Sequence, residues 1–481
     1  MMKKVLRVIL VVFMFCSFMS TKAAEAASPP PDNPWLSEII DYQDTGINEN
    51  ISLTRLPGTG WLAVAYAGDH WLDGKRMLKF ALQVPEGSGN CGDNLTWQCG
   101  GVDMNEGVGL HNAIAAIQDP DNANQIIIGI SYYDDVNRSL KYAQNYYNKT
   151  TQKILDQWEI ITVSVPGDRT FSVGQTTDLV FNPYNAKPII AYRLVESIFV
   201  GNPMVFLRTA TVVGDYLGNC GPSLSWSCKT IQRENFSEKS FSNIKMGWID
   251  YELYYFYNSV NGLDYAHPYD GGAYTNCFSQ DYLCGTIDNV GSSVGYELRV
   301  ASWRGNYSDS PNYRADARSN GVFLVYMQNN SSGTSSIKYA YTQKANTGVN
   351  CYDSKFSCFT FLHSWESSSS NSLSVAIDPN FYEAITYSTP GYTIADLHLV
   401  RPAKAFGLAE GNCGQLPYTW VCETVLKPAV INAAGGLAAL DIGPGNLVSI
   451  VYNAYNDTET AYRLGIIRQD WFKLNLPNVM R

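Results

Sequence analysis

Ten of the eleven cysteines fall into five close pairs, and one short pattern surrounds every pair. The pairs are Cys91 with Cys99, Cys220 with Cys228, Cys277 with Cys284, Cys351 with Cys358 and Cys413 with Cys422, and six to eight residues separate the members of each. Around the first, Leu78-Lys79-Phe80-Ala81 leads into Gly89-Asn90-Cys91-Gly92 and then Trp97-Gln98-Cys99. The order recurs at Leu207-Arg208-Thr209-Ala210 with Gly218-Asn219-Cys220-Gly221 and Trp226, and at Leu263-Asp264-Tyr265-Ala266 with Asn276-Cys277. It recurs again at Ile337-Lys338-Tyr339-Ala340 with Asn350-Cys351 and Ser357-Cys358, and at Leu397-His398-Leu399-Val400 with Gly411-Asn412-Cys413-Gly414 and Trp420. A copy without cysteines, Leu140-Lys141-Tyr142-Ala143 followed by Trp158-Glu159-Ile160, fills the long gap between the first two pairs, with Ile160 in the second cysteine's slot. A seventh strand of this type is read at Tyr462-Arg463-Leu464-Gly465, and the repeat then averages about 64 residues.

Upstream of each copy an apolar run ends in tyrosine, at Tyr66, Tyr133, Tyr192, Tyr257, Tyr326, Tyr387 and Tyr452. A second apolar run and a polar turn often precede it, as in Val375-Ala376-Ile377, Asp378-Pro379-Asn380 and Glu383-Ala384-Ile385-Thr386-Tyr387. Two apolar runs around an Asn/Asp/Pro turn read as a hairpin. Each unit therefore holds four strands, A to D: A and B form the hairpin, C carries the Leu-Lys-Tyr-Ala segment, and D carries the tryptophan and second cysteine. Four short antiparallel strands recurring at this period predict an all-β, seven-bladed β-propeller, with six or eight blades as alternatives. A ring of blades covers every sheet face against a neighbour and leaves only short edges. A strand at Trp35-Leu36-Ser37-Glu38-Ile39-Ile40-Asp41 is expected to supply strand D of the last blade and close the ring, in competition with Trp471-Phe472-Lys473-Leu474.

The N-terminus reads as an export signal. Lys3, Lys4 and Arg7 precede a 12-residue apolar run at 8–19, and Ala24-Glu25-Ala26 offers a cleavage site. The remainder, 27–481, is expected to be one propeller domain, secreted to the extracellular space or periplasm. The apolar run is too short to span a bilayer, and no later stretch reaches the length of a membrane helix. Paired cysteines in an exported chain read as disulfides; their spacing and the five histidines argue against zinc. Closing a loop of this size contributes roughly 2.5 kcal/mol in the chain-entropy model. The net charge of −10, near −13 without the leader, argues against a nucleic-acid partner. No phosphate loop, dinucleotide fingerprint, zincin helix or Ser-His-Asp signature is present, so no cofactor is expected. Asp119, Asp121 and Asn122 read as an A–B turn without a calcium-loop pattern.

The unit resembles the sialidase-like, Asp-box type of propeller. There the C–D turn carries S-x-D-x-G-x-T-W; here the same turn runs from Gly218 to Trp226, with the tryptophan in place and the Ser and Asp of the box absent. The resemblance implies a carboxylate-gripping arginine in an aromatic-Arg-Ile-Pro motif, and the nearest match is Thr54-Arg55-Leu56-Pro57, without the aromatic. It also implies a Tyr-Glu nucleophile pair, for which Tyr251-Glu252 and Tyr296-Glu297 are two of several candidates.

Strand alternation places the B–C and D–A loops on one rim and the A–B and C–D loops, with the disulfides, on the other. Following the sialidase-like pattern, a ligand site is expected on the first rim. Candidate ligand residues there are His70 and Trp71 in the blade 1 B–C loop, His111 near the start of a strand A, Arg193 in a B–C loop running to Pro203 and containing Glu196, and His363 with Trp365 in a D–A connection. Aromatic faces stack on sugar rings, and neighbouring polar groups fix orientation. No residue is assigned a catalytic role. The expected function is a secreted noncatalytic binding propeller for glycans or an extracellular protein. The alternative is a sialidase-like glycoside hydrolase or lyase.

Overall fold

The computed structural model describes residues 35–42, 51–69, 75–167, 170–199, 202–237, 240–269, 276–289, 294–304, 320–329, 334–343, 349–366, 372–388, 396–414, 419–426, 438–443, 446–456 and 461–469. The expected leader and Trp471-Phe472-Lys473-Leu474 lie outside them. Two compact units are distinguished, one of residues 37–468 and one of residues 1–36 with 469–481. Of the latter, only Trp35, Leu36 and Gln469 are described.

Seven antiparallel sheets form a seven-bladed β-propeller, each ordered A-B-C-D. In chain order the blades cover residues 51–103, 108–164, 170–235, 244–288, 294–366, 373–426 and 438–469. Strand D of blade 7 is Trp35–Asp41, paired beside Ala461–Gln469, so the N-terminal strand closes the ring as expected. Arg468 reaches Glu38 at 2.6 Å, and the Ser37 hydroxyl lies 3.0 Å from that of Tyr452.

All five expected disulfides form. Cys91 joins Cys99, Cys220 joins Cys228, Cys277 joins Cys284, Cys351 joins Cys358 and Cys413 joins Cys422, at Cα separations of 5.0 to 5.9 Å. Cys358 is buried and accepts from the Tyr326 hydroxyl at 3.7 Å, so this clip also touches the strand B tyrosine of its own blade.

The repeated Gly-Asn-Cys-Gly…Trp-x-Cys has a physical reason at each position. Asn219 acts as a mock strand residue: Cys228 N–H donates to Asn219 Oδ1 at 2.6 Å, and Asn219 Nδ2 donates to Cys228 O at 3.0 Å. Asn90 with Cys99 and Asn412 with Cys422 repeat the exchange. The glycine before each Asn (Gly89, Gly218, Gly411) sits where a Cβ would overlap the tryptophan carbonyl oxygen. Trp97 and Trp226 are essentially inaccessible. The clip tryptophans reach the preceding blade: Trp226 packs edge-on against Tyr142 at 5.6 Å, and Trp420 against Tyr339 at 5.4 Å. Burying such a ring contributes about 1.5–3 kcal/mol. In blade 2, Ile160 pairs with Ala143 in the register that Cys99 takes with Ala81, which confirms its slot. Without a clip, it is 41% exposed.

The seams between blades are polar as well as apolar. Asp103 from strand D of blade 1 accepts from Tyr132 Oη at 2.8 Å and Lys141 Nζ at 3.0 Å, both of blade 2. Asp41 does the same for Tyr66 and Lys79, both at 2.6 Å, which cements the ring closure. Asp288 repeats it for Tyr326, at 2.9 Å, and Lys338. The recurring slots thus explain both the strand B tyrosine and the strand C lysine. Two markers shift. The blade 2 seam tyrosine is Tyr132, paired with Lys141, rather than Tyr133. In blade 7, Tyr452 faces Gly465, so the strand C register is displaced by two residues from the sequence reading.

Candidate functional site

Strands A of all seven blades line a central channel with a volume of about 510 Å³. Its ionisable lining groups are His111, Asp178, Lys245, Glu297 and Arg299. Three blades present residues to it through the same device. Val108-Gly109-Leu110-His111, Val173-Gly174-Gln175-Thr176 and Val294-Gly295-Tyr296-Glu297 each sit at register shifts in strand A. Such bulges kink a strand and re-aim side chains. Gly109 takes φ 100°, and a Cβ there would lie 2.9 Å from Leu78 Cα, so the bulge needs glycine both for conformation and for the close approach of the preceding blade. Two residues on, His111 and Glu297 adopt φ 51° and 49°, a strained left-handed backbone for non-glycine residues.

His111 is the centre of a cluster on the B–C/D–A rim. Its ring centroid lies 6.4 Å from that of Tyr133, at 55°. Burial, then the Arg193 guanidinium, push its pKa down to about 4 against the pull of Asp135, so its imidazole is neutral at neutral pH. Tyr133 is buried and hydrogen-bonds Gln175; burial and Asp135 raise its pKa, so its phenol stays protonated. The one-residue slip between Tyr132 and Tyr133 decides these roles, because adjacent strand residues face opposite sides. Arg193 is buried, donates to Ser237 O at 3.3 Å and lies over the Phe236 ring at 6.0 Å. Asn112 Nδ2 donates to Gly109 O at 3.0 Å, and the Ser52 hydroxyl donates to Asn112 Oδ1 at 2.5 Å, which holds the bulge against blade 1.

Among the described residues, two carboxylates line the channel, and both are paired. Lys245 Nζ and Met246 N–H donate to the two oxygens of Asp178, at 2.9 and 2.7 Å. Glu297 lies 3.2 Å from Arg299. Among the described residues, no group of three or more His, Cys, Asp or Glu side chains is placed to hold a metal. Asp119 and Asp121 lie in an A–B turn, as expected, with Asp121 N–H donating to Asp119 at 2.9 Å.

Of the six candidate ligand residues, the structure brings His111 and Arg193 together. Arg193 lies within strand B, which runs Pro188–Phe199, and strand C begins at Asn202, so Arg193 and Glu196 are strand residues rather than part of a loop running to Pro203. His363 and Trp365 belong to strand D itself, Phe356–Glu366, not to the connection after it; their side chains lie outside the described structure. His70 and Trp71 also lie outside the described residues. Sequence reasoning misses Tyr133 and Gln175. The Val-Gly-x-x repeat is the available signal, but it becomes meaningful only once the three segments are known to be strand A.

The groups implied by the sialidase-like resemblance divide between the rims. Arg55 ends strand A of blade 1 on the disulfide rim, where its Nε donates to Asp441 at 2.8 Å. Glu252 starts strand B of blade 4 on that same rim, 3.2 Å from His267. Among the described side chains of this set, Glu297 lines the channel.

No family model and no curated protein matches the chain. Among solved structures, an α-L-arabinanase from Penicillium chrysogenum complexed with arabinobiose is 10% identical over 74% of this chain and 92% of its own, with a TM-score of 0.39. A polysaccharide lyase is 9% identical over 87% and 89%, with a TM-score of 0.42. An α-L-arabinofuranosidase from Fusarium graminearum, in complex with an iminosugar inhibitor, is 10% identical over 90% and 98%, with a TM-score of 0.42.

Proposed function

We propose that the chain acts on an acidic glycan at the His111 rim of the channel, as a lyase that cleaves by β-elimination. The observation that carries this reading is the half-buried His111 imidazole, 6.4 Å from the Tyr133 ring and facing Arg193, with its pKa held down so that it stays neutral. Elimination from a uronate needs three things: neutralisation of the carboxylate, a base for the proton on the adjacent carbon, and an acid for the leaving oxygen. Arg193 would neutralise the carboxylate and stabilise the enolate that develops. His111 would take the proton from C5; the electron pair would form the C4–C5 double bond as the C4–O bond breaks, and Tyr133 would protonate the departing oxygen. Atoms balance without water.

Hydrolysis is less favoured. It needs one carboxylic acid and one carboxylate flanking the bond, whereas Asp178 and Glu297 are each held by a cation. Binding without turnover, the expectation from sequence, accounts for Arg193 but leaves the neutral His111–Tyr133 pair without a role.

The test is a panel of uronate-containing polysaccharides followed by ultraviolet absorbance of the unsaturated product. Turnover on at least one polymer is expected, with His111→Gln lowering kcat by about 10²–10⁴-fold. The rate should fall as pH drops through about 4, where His111 takes up its proton. Reducing ends released without unsaturation, or tight binding without product, would overturn the proposal.

A further inference from the structure

Ring contacts between neighbouring blades recur at one pair of slots: the third residue of the strand C segment, and the residue two before the second cysteine or its equivalent. Phe80 meets Trp158 at 5.1 Å, Tyr142 meets Trp226 at 5.6 Å, Tyr265 meets Phe356 at 5.6 Å and Tyr339 meets Trp420 at 5.4 Å. The seam between blades 3 and 4 departs from this. Thr209 takes the strand C slot, in the register of Tyr265 and Tyr339, and Tyr282 takes the slot of the clip tryptophans. Threonine has no ring to offer. Its hydroxyl instead lies 3.2 Å from that of Tyr255, which packs edge-on against Tyr282 at 5.9 Å. Thr209, Tyr255 and Tyr282 line a cleft of about 530 Å³. Ile189 and Thr211 of blade 3 and the A–B turn of blade 4 also line it, which places its mouth on the disulfide rim, opposite His111.

The cleft is furnished with both aromatic and polar groups. Trp248, Tyr251 and Tyr269 add aromatic surface. Ile249 pairs with Glu252, so Asp250 and Tyr251 form a two-residue turn, and Tyr251 stands 74% exposed. His267 also lines the cleft, 7% exposed and stacked on Tyr254 at 4.5 Å. Among the described residues, neither of its ring nitrogens has a hydrogen-bond partner in line, although Glu252 Oε2 lies 3.2 Å from Nδ1. A buried polar group in this condition is one that a ligand can satisfy. Lys229, on the blade 3 side, is matched by Asp281 at 3.1 Å.

We propose that this cleft binds an uncharged sugar residue of a polysaccharide, as a second site that holds the polymer without cleaving it. A pyranose carries C–H groups on its faces and hydroxyls around its edge. The C–H face lies on Tyr251 and Trp248. Adjacent hydroxyls each donate and accept, which suits His267, since a neutral imidazole gives one hydrogen bond and takes one. Glu252 accepts from a further hydroxyl. A uronate would bring its carboxylate to Glu252, with Lys229 already matched; an apolar ligand would leave His267 unsatisfied. The volume falls in the range of small-ligand sites, about 300–1,000 Å³. This site lies on the opposite rim from His111 and does not depend on what the channel does.

The test is titration calorimetry of the full chain with oligosaccharides of glucose, galactose, mannose, xylose and rhamnose, and with an oligoglucuronate. Saturation-transfer NMR identifies the sugar protons in contact. At least one neutral oligosaccharide should bind, with its ring C–H protons saturated most strongly. Tyr251→Ala should weaken it about three- to tenfold, at the native Tm because Tyr251 is exposed. His267→Phe keeps a ring stacked on Tyr254 and removes both nitrogens; it should weaken binding about tenfold or more without lowering Tm. Binding by none of the neutral oligosaccharides would overturn the site. Binding that both variants leave unchanged would place the sugar elsewhere and overturn it too. Loss of oligoglucuronate affinity in Tyr251→Ala would overturn the choice of an uncharged residue. Unsaturated product from a uronate polymer, formed by a chain that binds no neutral sugar, would overturn the cleft alone and leave the channel reading standing.

Discussion

Replacing Lys141 by Met isolates what a seam ion pair does. Lys141 Nζ lies 3.0 Å from Asp103 Oδ2 and 2.9 Å from Asp134 Oδ2; the lysine side chain is 10% exposed and each carboxylate 1%. Methionine keeps most of the volume and removes the charge, which leaves two buried carboxylates without their cation. Removing one partner of such a cluster costs about 3–5 kcal/mol. For about 430 residues, an unfolding entropy near 2 cal/mol/K per residue converts this to a Tm lowered by about 3–6 °C. The pH dependence is the sharper test. In the native chain, hydrogen bonds and the ammonium group outweigh burial and hold both carboxyls below their usual pKa. Their contribution is therefore present above about pH 4 and is lost as pH falls. In Lys141→Met, burial loses that opposition and the carboxyl pKa values rise, so the variant should gain on the native chain as pH drops from 7 towards 5. Adding Asp103→Asn should recover part of the loss at pH 7. The assay is Tm by intrinsic fluorescence at matched ionic strength. A loss below about 1 kcal/mol at pH 7, or a gap that stays constant with pH, would refute the claim that these charges are buried together and depend on one another.

Two further substitutions address the clips and the rims. Asn219→Ala removes both hydrogen bonds to the Cys228 backbone while leaving the disulfide intact, and should cost about 1–3 kcal/mol; Cys220→Ala with Cys228→Ala should cost roughly 2.5 kcal/mol, and the two losses measured by thermal unfolding should be less than additive because they share one turn. Arg55→Leu leaves the partly buried Asp441 without its cation, and should lower Tm while leaving oligoglucuronate affinity unchanged, since Arg55 sits on the disulfide rim; lost affinity at unchanged Tm would restore the sialidase-like role for this arginine.

Most of the architecture was legible because its determinants are local and repeated. Gly-Asn-Cys-Gly and the following tryptophan are fixed by a tight turn, an Asn side chain that mimics a strand and a ring pressed against the preceding blade, so the copies that use this turn keep all of them. The closing strand was legible for the same reason: Trp35–Asp41 carries a strand D pattern and supplies Asp41 to a seam. Register was less legible. Tyr132 and Tyr133 are adjacent in one strand, and nothing local says which one meets Lys141; the seam with Asp103 decides it. In blade 7 the lysine slot holds Gly465, so the strand carried no marker by which to align it.

The candidate site was harder to read because it depends on departures from the repeat. The positions opposite the strand B tyrosines run Lys79, Lys141, Arg208, Asp264, Lys338, His398 and Gly465. Where the slot holds lysine against an aspartate, it holds two blades together and says nothing about a ligand. Where it holds Asp264, the slot carries an acid whose pKa burial raises, in place of a cation. The Val-Gly-x-x bulges behave alike: Gly109, Gly174 and Gly295 serve packing, and the residue two further on is His111, Thr176 or Glu297, free to differ because it faces the channel rather than a blade. A repeat constrained by packing thus marks, by its exceptions, the positions where packing has released the side chain for other chemistry. The lowered pKa of His111 could not be read from sequence at all, because it arises from burial and from Arg193, 82 residues away in the chain and adjacent only through the ring.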